Sequence, residues 1–300
     1  MTFAPIALFV YNRPEHTRRT LAALRDDPFA RQSDLTVFAD AAKRPEHEAA
    51  VAEVRSLVRS ANGFRSVTMI ARDRNLGLAA SISDGVGRLC AEHGRVIVLE
   101  DDLIVAPDFL GFLNAGLDRY KEDERVMQVS GYMYPGTFAS DTDAVFLPIV
   151  SCWGWATWKR AWDQYDPTAS GYSRLQTDRE LRKRFNLGGA YDYYRMLGQQ
   201  IEGHIDSWAV RWLLSVVLAD GIVLYPPFSL VENIGVDGSG THGRGSSALH
   251  PKLVPGRRLP ANLDFPKRLE VDTRAVTEVQ HILRHLKPGI LGRLVRKLLS

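Results

Sequence analysis

Cysteine is nearly absent. Cys90 and Cys152 are the only two in 300 residues, and they stand in unrelated contexts. With no CxxC pair, neither a structural zinc site nor a disulfide framework is indicated, and a reducing cytoplasm is the expected setting. Long apolar runs are missing as well: no stretch approaches the ~20 apolar residues of a membrane helix. The opening MTFAPIALFVYNRPEH has no basic residue ahead of its apolar run. That run is also too short for a signal-peptide core, so it reads as a first buried strand. Charge of one sign is not concentrated either. The formal net charge is +3, and the 38 Lys and Arg are dispersed. Without an Arg/Lys stripe interleaved with aromatics, a nucleic-acid partner is excluded. There is no internal repeat and no low-complexity block.

What is present is a chain with 45% hydrophobic residues, enough for one large α/β domain or a domain with an elaborated half. Up to about residue 100, short apolar runs alternate with helical periodicity. PIALFVYN reads as a strand and PEHTRRTLAALRDD as a helix, with Pro14 near its start and Asn12 as a cap. LTVFAD is the next strand. In the helix PEHEAAVAEVRSLVRS, Val51, Val54, Leu57 and Val58 recur at helical spacing. SVTMIAR, LAASISDGVGRLCAEH and RVIVLE continue the alternation. Apolar strands alternating with amphipathic helices imply a parallel sheet covered on both faces. Ligands of such sheets gather at the carboxyl ends of the strands. Those ends here carry Asn12-Arg13, Asp40, Arg72 to Asn75, and Glu100-Asp101-Asp102, which points to one shared site.

Three adjacent acids at a strand end repel one another, and capping a following helix needs only one of them, a role Asp108 can fill itself. A hard divalent cation explains all three. Mn²⁺ or Mg²⁺ takes oxygen ligands, with one or two carboxylates and phosphate oxygens completing the shell.

VIVLEDDLIVAPDFLGFLNAGLDRY resembles the metal-binding segment of GT-A glycosyltransferases. It is most similar to the Glu-Asp-Asp form of the DxD motif in alpha-1,3-mannosyl-glycoprotein beta-1,2-N-acetylglucosaminyltransferases and related family 2-type bacterial sugar transferases. IALFVYNRPEHTRRTLAAL resembles the opening of these enzymes, and RNLGLAASISDGV their Asn-x-Gly segment. The resemblance covers roughly residues 4–135, with patches at GWATWKRAWDQYDP, DSWAVRW and THG. It implies a GT-A fold, a mostly parallel Rossmann-like sheet flanked by helices with an elaborated acceptor-side half. Residues 1–135 would bind the nucleotide sugar, 136–250 the acceptor, and 251–300 would form an irregular segment and a terminal helix.

By the same resemblance Asp102 binds the metal, Asp101 lies nearer the ribose, and Glu100 lies towards the donor sugar. Asp40 meets the uracil or ribose, Arg13 the base or diphosphate, and Asn75 and Gly77 lie near the nucleotide. The implied activity is metal-dependent, inverting transfer of a sugar from a nucleoside diphosphate, UDP-GlcNAc first among donors, to a glycan or lipid-linked acceptor.

Such transfer needs a carboxylate that takes the acceptor proton. Asp206, just before the apolar helix of DSWAVRWLLSVVLAD, is the first candidate and is also a natural helix cap. Asp163 is the second. Trp155 is expected to line the donor-sugar site, with Trp153 and Trp158 in the core. His242 or Arg244, in the glycine-rich GVDGSGTHGRGSS, is expected either to touch phosphate or metal or to belong to a surface loop. The tail PGILGRLVRKLLS is a basic amphipathic pattern, suited to peripheral contact with an anionic membrane or to docking on its own domain. Two rival readings remain. A sugar-nucleotide pyrophosphorylase would carry a glycine-rich loop after strand one, where Asn12-Arg13-Pro14 stands instead. An inactive GT-A-shaped binding protein would carry a broken acid triplet or lack a base.

Overall fold

The computed structural model describes residues 3–138, 140–235 and 249–285. Four strands, β1 (Ile6–Val10), β2 (Asp34–Ala39), β3 (Ser66–Ala71) and β4 (Arg95–Glu100), alternate with helices α1 (Pro14–Arg25), α2 (Glu48–Arg59) and α3 (Leu78–His93). After β4 the chain forms β5 (Leu103–Val105), α4 (Phe109–Arg119), β6 (Val126–Ser130), β7 (Val145–Leu147) and β8 (Trp155–Trp158). A helical stretch follows: α5 (Lys159–Trp162), α6 (Tyr172–Thr177), α7 (Arg179–Phe185), α8 (Tyr193–Ile201) and α9 (Trp208–Leu218). Last come β9 (Ile222–Tyr225), β10 (Val231–Asn233) and α10 (Thr273–His285).

Eight strands make one sheet in the order β3-β2-β1-β4-β8-β6-β9-β7, and β5 pairs with β10 in a separate ribbon. The expected α/β architecture, a large central sheet with flanking helices, is what the chain adopts. Pairing from β3 across to β4 is parallel throughout. β8 then runs antiparallel to β4, with Arg95 opposite Trp158 and Val98 opposite Trp155. β6 is antiparallel to β8 and β9 is parallel to β6, so both run with β4. The start of β8 therefore lies at the carboxyl edge of the sheet and its end at the amino edge. The sheet also crosses the division expected at residue 135, since β4 and β6 are joined only through β8.

The core follows from the patterns. β1 is buried at every position, and the face of α2 that carries Val51, Val54 and Val58 is turned inward. Pro14 stands at the first turn of α1, where a missing N–H costs nothing. The N-cap position falls on Arg13 and not on Asn12.

Asp27, 3% exposed, ties the end of α1 to the start of α4 by accepting the N–H groups of Phe29 (2.9 Å) and Leu110 (3.0 Å). Burial outweighs these bonds and pushes its carboxyl up to about 6. A carboxyl raised in the folded state contributes stability below the unfolded value near 4, and that contribution is lost as the pH rises through about 6. Two pKa units correspond to roughly 3 kcal/mol. Denaturant unfolding of the wild type should therefore lose up to about that much between pH 4 and 6 relative to Asp27→Asn. Parallel pH profiles for the two proteins would refute the assignment.

Candidate functional site

The order β3-β2-β1-β4 makes β1 a switch point, because the chain leaves it to one side for β2 and returns on the other as β4. A crevice opens outside the carboxyl ends of two such strands, and ligands of open α/β sheets bind there. Here the residues that follow β1 and β4 meet across it. The Arg13 guanidinium pairs with Asp101 and, at 3.0 Å, with Asp102 Oδ2. The Tyr11 amide donates to Asp101 Oδ2 at 3.3 Å, and Thr20 Oγ1 donates to the Asp101 carbonyl at 2.9 Å.

A cation at a helix N-terminus opposes the helix dipole; at the start of α1 the two acids supply the compensation. Both acids are buried, at 3% and 5% exposure. Burial raises the Asp101 carboxyl, with Asp102 adding to the effect and Arg13 opposing it. For Arg13, burial alone would lower the pKa, but the two acids outweigh it and the net shift is upward.

A third segment closes the crevice. β10 lies antiparallel to β5, with Asn233 opposite Leu103, and the Ile234 amide donates to the Asp102 carbonyl at 2.9 Å. Gly235 then passes so close that a Cβ there would lie 1.9 Å from Asp102 Oδ2 and 2.9 Å from Arg13. Only a residue without a side chain fits. The first glycine of the 235–244 stretch was the one available signal for this contact; Tyr11, which acts through its amide, left none.

The other expected residues fall in several places. Asp40 follows β2 on the same edge, but its carboxylate is engaged by the main chain. It accepts from Ala41 (2.9 Å), Leu76 (2.9 Å) and Gly77 (3.0 Å), fastening the loop that opens α3. Asn75 donates to the Ala41 carbonyl at 2.7 Å, and Gly77 takes φ +75° with open space where a Cβ would stand. Glu100 is half-buried, and its charge adds to the upward push that burial gives the Cys152 thiol.

α9 leads into the amino-edge start of β9, so its N-terminus lies at the carboxyl edge with the acids. Asp206 stands there, exposed. It does not cap the helix: the cap position is Ser207, whose amide is held by the Gln200 side chain of α8.

Two expectations are corrected. Asp163 follows β8 and therefore lies at the amino edge, opposite the crevice, where it pairs with Lys159 at 2.5 Å. Trp155 does not line a site. It is 0% exposed, stacked on Trp208 at 5.6 Å between centroids and packed with Trp212 and Trp162. Four indoles from three elements bury more area together than one would gain on a sugar face. Trp153 and Trp158 are buried as well. His242, Arg244 and the tail from residue 286 lie outside the described residues. No described helix is long and apolar enough to cross a membrane.

The acids offer the hard oxygen donors that Mn²⁺ or Mg²⁺ prefers. Among the described residues no group of three or more His, Cys, Asp or Glu comes together to hold a metal, and Arg13 now occupies Asp102 Oδ2. The residues fit a divalent cation on the condition that Arg13 releases Asp102 and phosphate oxygens complete the shell.

No protein-family model and no curated protein matches the chain. Among solved structures it is similar to a mannosyltransferase from Pyrobaculum calidifontis in complex with GDP-Man and Mn²⁺. The identity is 14%, over 73% of this chain and 74% of that one, with a TM-score of 0.38. It is also similar to mouse xyloside xylosyltransferase 1 in its apo form (13% identity, 71% and 81% coverage, TM-score 0.36). A UDP-glucose pyrophosphorylase complexed with UDP-glucose gives 9% identity, 77% and 94% coverage and a TM-score of 0.38. Likeness of this degree decides no activity. The side chains at the strand ends have to carry that.

Proposed function

We propose that the chain is a glycosyltransferase that takes a sugar from a nucleoside diphosphate and passes it, with inversion, to a hydroxyl of a glycan or lipid-linked acceptor. UDP-GlcNAc is the first donor to test. The observation that carries this reading is the ion cluster at the switch point: a guanidinium from the end of β1 held by two buried carboxylates from the end of β4. A crevice with a cation and acids in this place suits a diphosphate and its metal.

Asp102 would hold Mn²⁺ or Mg²⁺, which stabilises the negative charge that develops on the leaving diphosphate. Arg13, once released from Asp102, is long enough to turn to the diphosphate and carries a permanent charge for it. Asp101 stays tied to the Tyr11 amide and keeps the two strand ends together. Asp40 holds the loop before α3 in place as the wall on the β2 side. Asp206, exposed and on the same edge, would accept the proton of the attacking hydroxyl.

The test is a panel of nucleotide sugars in a thermal-unfolding assay, with Mn²⁺ and with chelator. A UDP-sugar with Mn²⁺ should stabilise the protein by about 2.7 kcal/mol at a hundred times its dissociation constant, and chelator should abolish most of the effect. Unfolding that no nucleotide sugar delays would overturn the reading.

A further inference from the structure

Beside one end of the β5–β10 ribbon lies a cleft of about 430 Å³. Ala106 and Ser229 border it where the ribbon ends, Tyr134 follows β6, Phe228 follows β9, and residues 251–258 close it. β6 and β9 both end at the carboxyl edge, the edge of the acid pair. The ribbon itself links the two places: the Ala106 amide donates to the Leu230 carbonyl at 2.8 Å at one end, and Ile234 donates to Asp102 at the other. Ala106 is four residues beyond Asp102, about 13 Å at the rise of an extended chain.

The charge lining this cleft is of one sign. Lys252, Arg257 and Arg258 line it, and no carboxylate does. Arg258 is neutralised by Asp108 at 2.7 Å. Neither Lys252 nor Arg257 has a carboxylate partner among the described residues. Arg257 is held in place, its guanidinium 3.9 Å from the centroid of the Phe228 ring, which leaves the N–H edge free to bind an oxyanion. Tyr134, Phe228, Pro135 and Leu253 supply apolar and aromatic walls, a surface suited to the C–H faces of a sugar. The donor diphosphate belongs in the crevice at the switch point, so a second anion site reached along the ribbon calls for a second anion.

We propose that this cleft binds the acceptor, and that the acceptor is a saccharide carrying a phosphate group, which Lys252 and Arg257 grip. The inference rests on the transferase reading for the word acceptor, while the binding of a phosphorylated saccharide can be measured without it.

The experiment is a calorimetric titration of the full chain with hexose 1-phosphates, their methyl glycosides and a short-chain prenyl-phosphate hexose. These are compared on the wild type and on the double variant Lys252→Gln/Arg257→Gln, both exposed positions. The wild type should bind at least one phosphorylated saccharide about tenfold or more tighter than its methyl glycoside, about 1.4 kcal/mol, and the double variant should lose that preference. A prenyl compound that binds more tightly than the free hexose 1-phosphate would identify a lipid-linked source, and equal binding a soluble one. Absence of any phosphate preference, or a preference unchanged in the double variant, overturns the proposal. Nucleotide-sugar binding is measured on the same proteins. If it is intact in both while the phosphate preference is missing, only the acceptor site falls. If it is missing in the wild type while the preference is present, only the donor reading falls.

Discussion

Asp206→Asn is expected to lower kcat by about 10²–10⁴-fold, the usual worth of a positioned general base, with nucleotide-sugar affinity unchanged. The side chain is exposed and precedes the cap position of α9, so the amide should neither weaken the helix nor disturb the tryptophan cluster behind it. Asparagine keeps the shape and cannot take the proton. The loss should appear in kcat and leave the thermal stabilisation by donor as it was, since the crevice proposed for the donor is bounded by residues that follow β1, β4 and β10. A fall of less than about tenfold would remove Asp206 from the role. Asp163 could not replace it, because β8 carries that residue to the opposite edge of the sheet.

Arg13→Ala should have the largest effect on stability. It would leave Asp101 and Asp102 buried side by side without their cation, and breaking a buried ion pair from one side typically costs about 3–5 kcal/mol. The loss should shrink as the pH falls. The Asp101 carboxyl is already raised by burial with Arg13 opposing, so without Arg13 it rises further and takes up a proton more readily, removing the buried charge. Mn²⁺ should restore part of the stability in the variant, because a divalent cation can then reach Asp102 without displacing a guanidinium. Urea unfolding of both proteins, with Mn²⁺ and with chelator, measures this. A variant as stable as the wild type, or one that Mn²⁺ leaves unmoved, would show that the acids do not need a cation between them.

The part of the site that sequence could reveal is the part built by the repeating strand-helix alternation. Each of β1, β2 and β4 is an apolar run that stops abruptly at polar residues, so the pattern alone assigns Arg13, Asp40, Asp101 and Asp102 to one edge. What could not be read was strand direction beyond β4. The segment that carries Trp155 and Trp158 has helical-looking spacing between its indoles, yet it is β8, inserted antiparallel between β4 and β6. That reversal puts Asp163 on the wrong edge. Trp155 sits in the core because Trp162, Trp208 and Trp212, distant in sequence, arrive around it. The β5–β10 ribbon is equally non-local, three residues paired with three at a sequence separation that reaches from Val105 to Val231. Residues 251–258 wall a cleft and build no helix or strand, and walls of that kind follow no repeat.

β8 also sets an order of events during synthesis. A nascent chain that has emerged from the ribosome as far as Glu100 can pair β1, β2, β3 and β4, but the outer edge of β4 stays naked until residue 158 follows. An exposed strand edge invites pairing with other chains. The acid pair gains its contact with Gly235 only once that residue emerges; until then Arg13 and the Tyr11 amide are what face the carboxylates. Arg13 is an early residue, made before either carboxylate, and a polypeptide that must keep two buried anions quiet for that long is well served by a counter-ion it carries from the start.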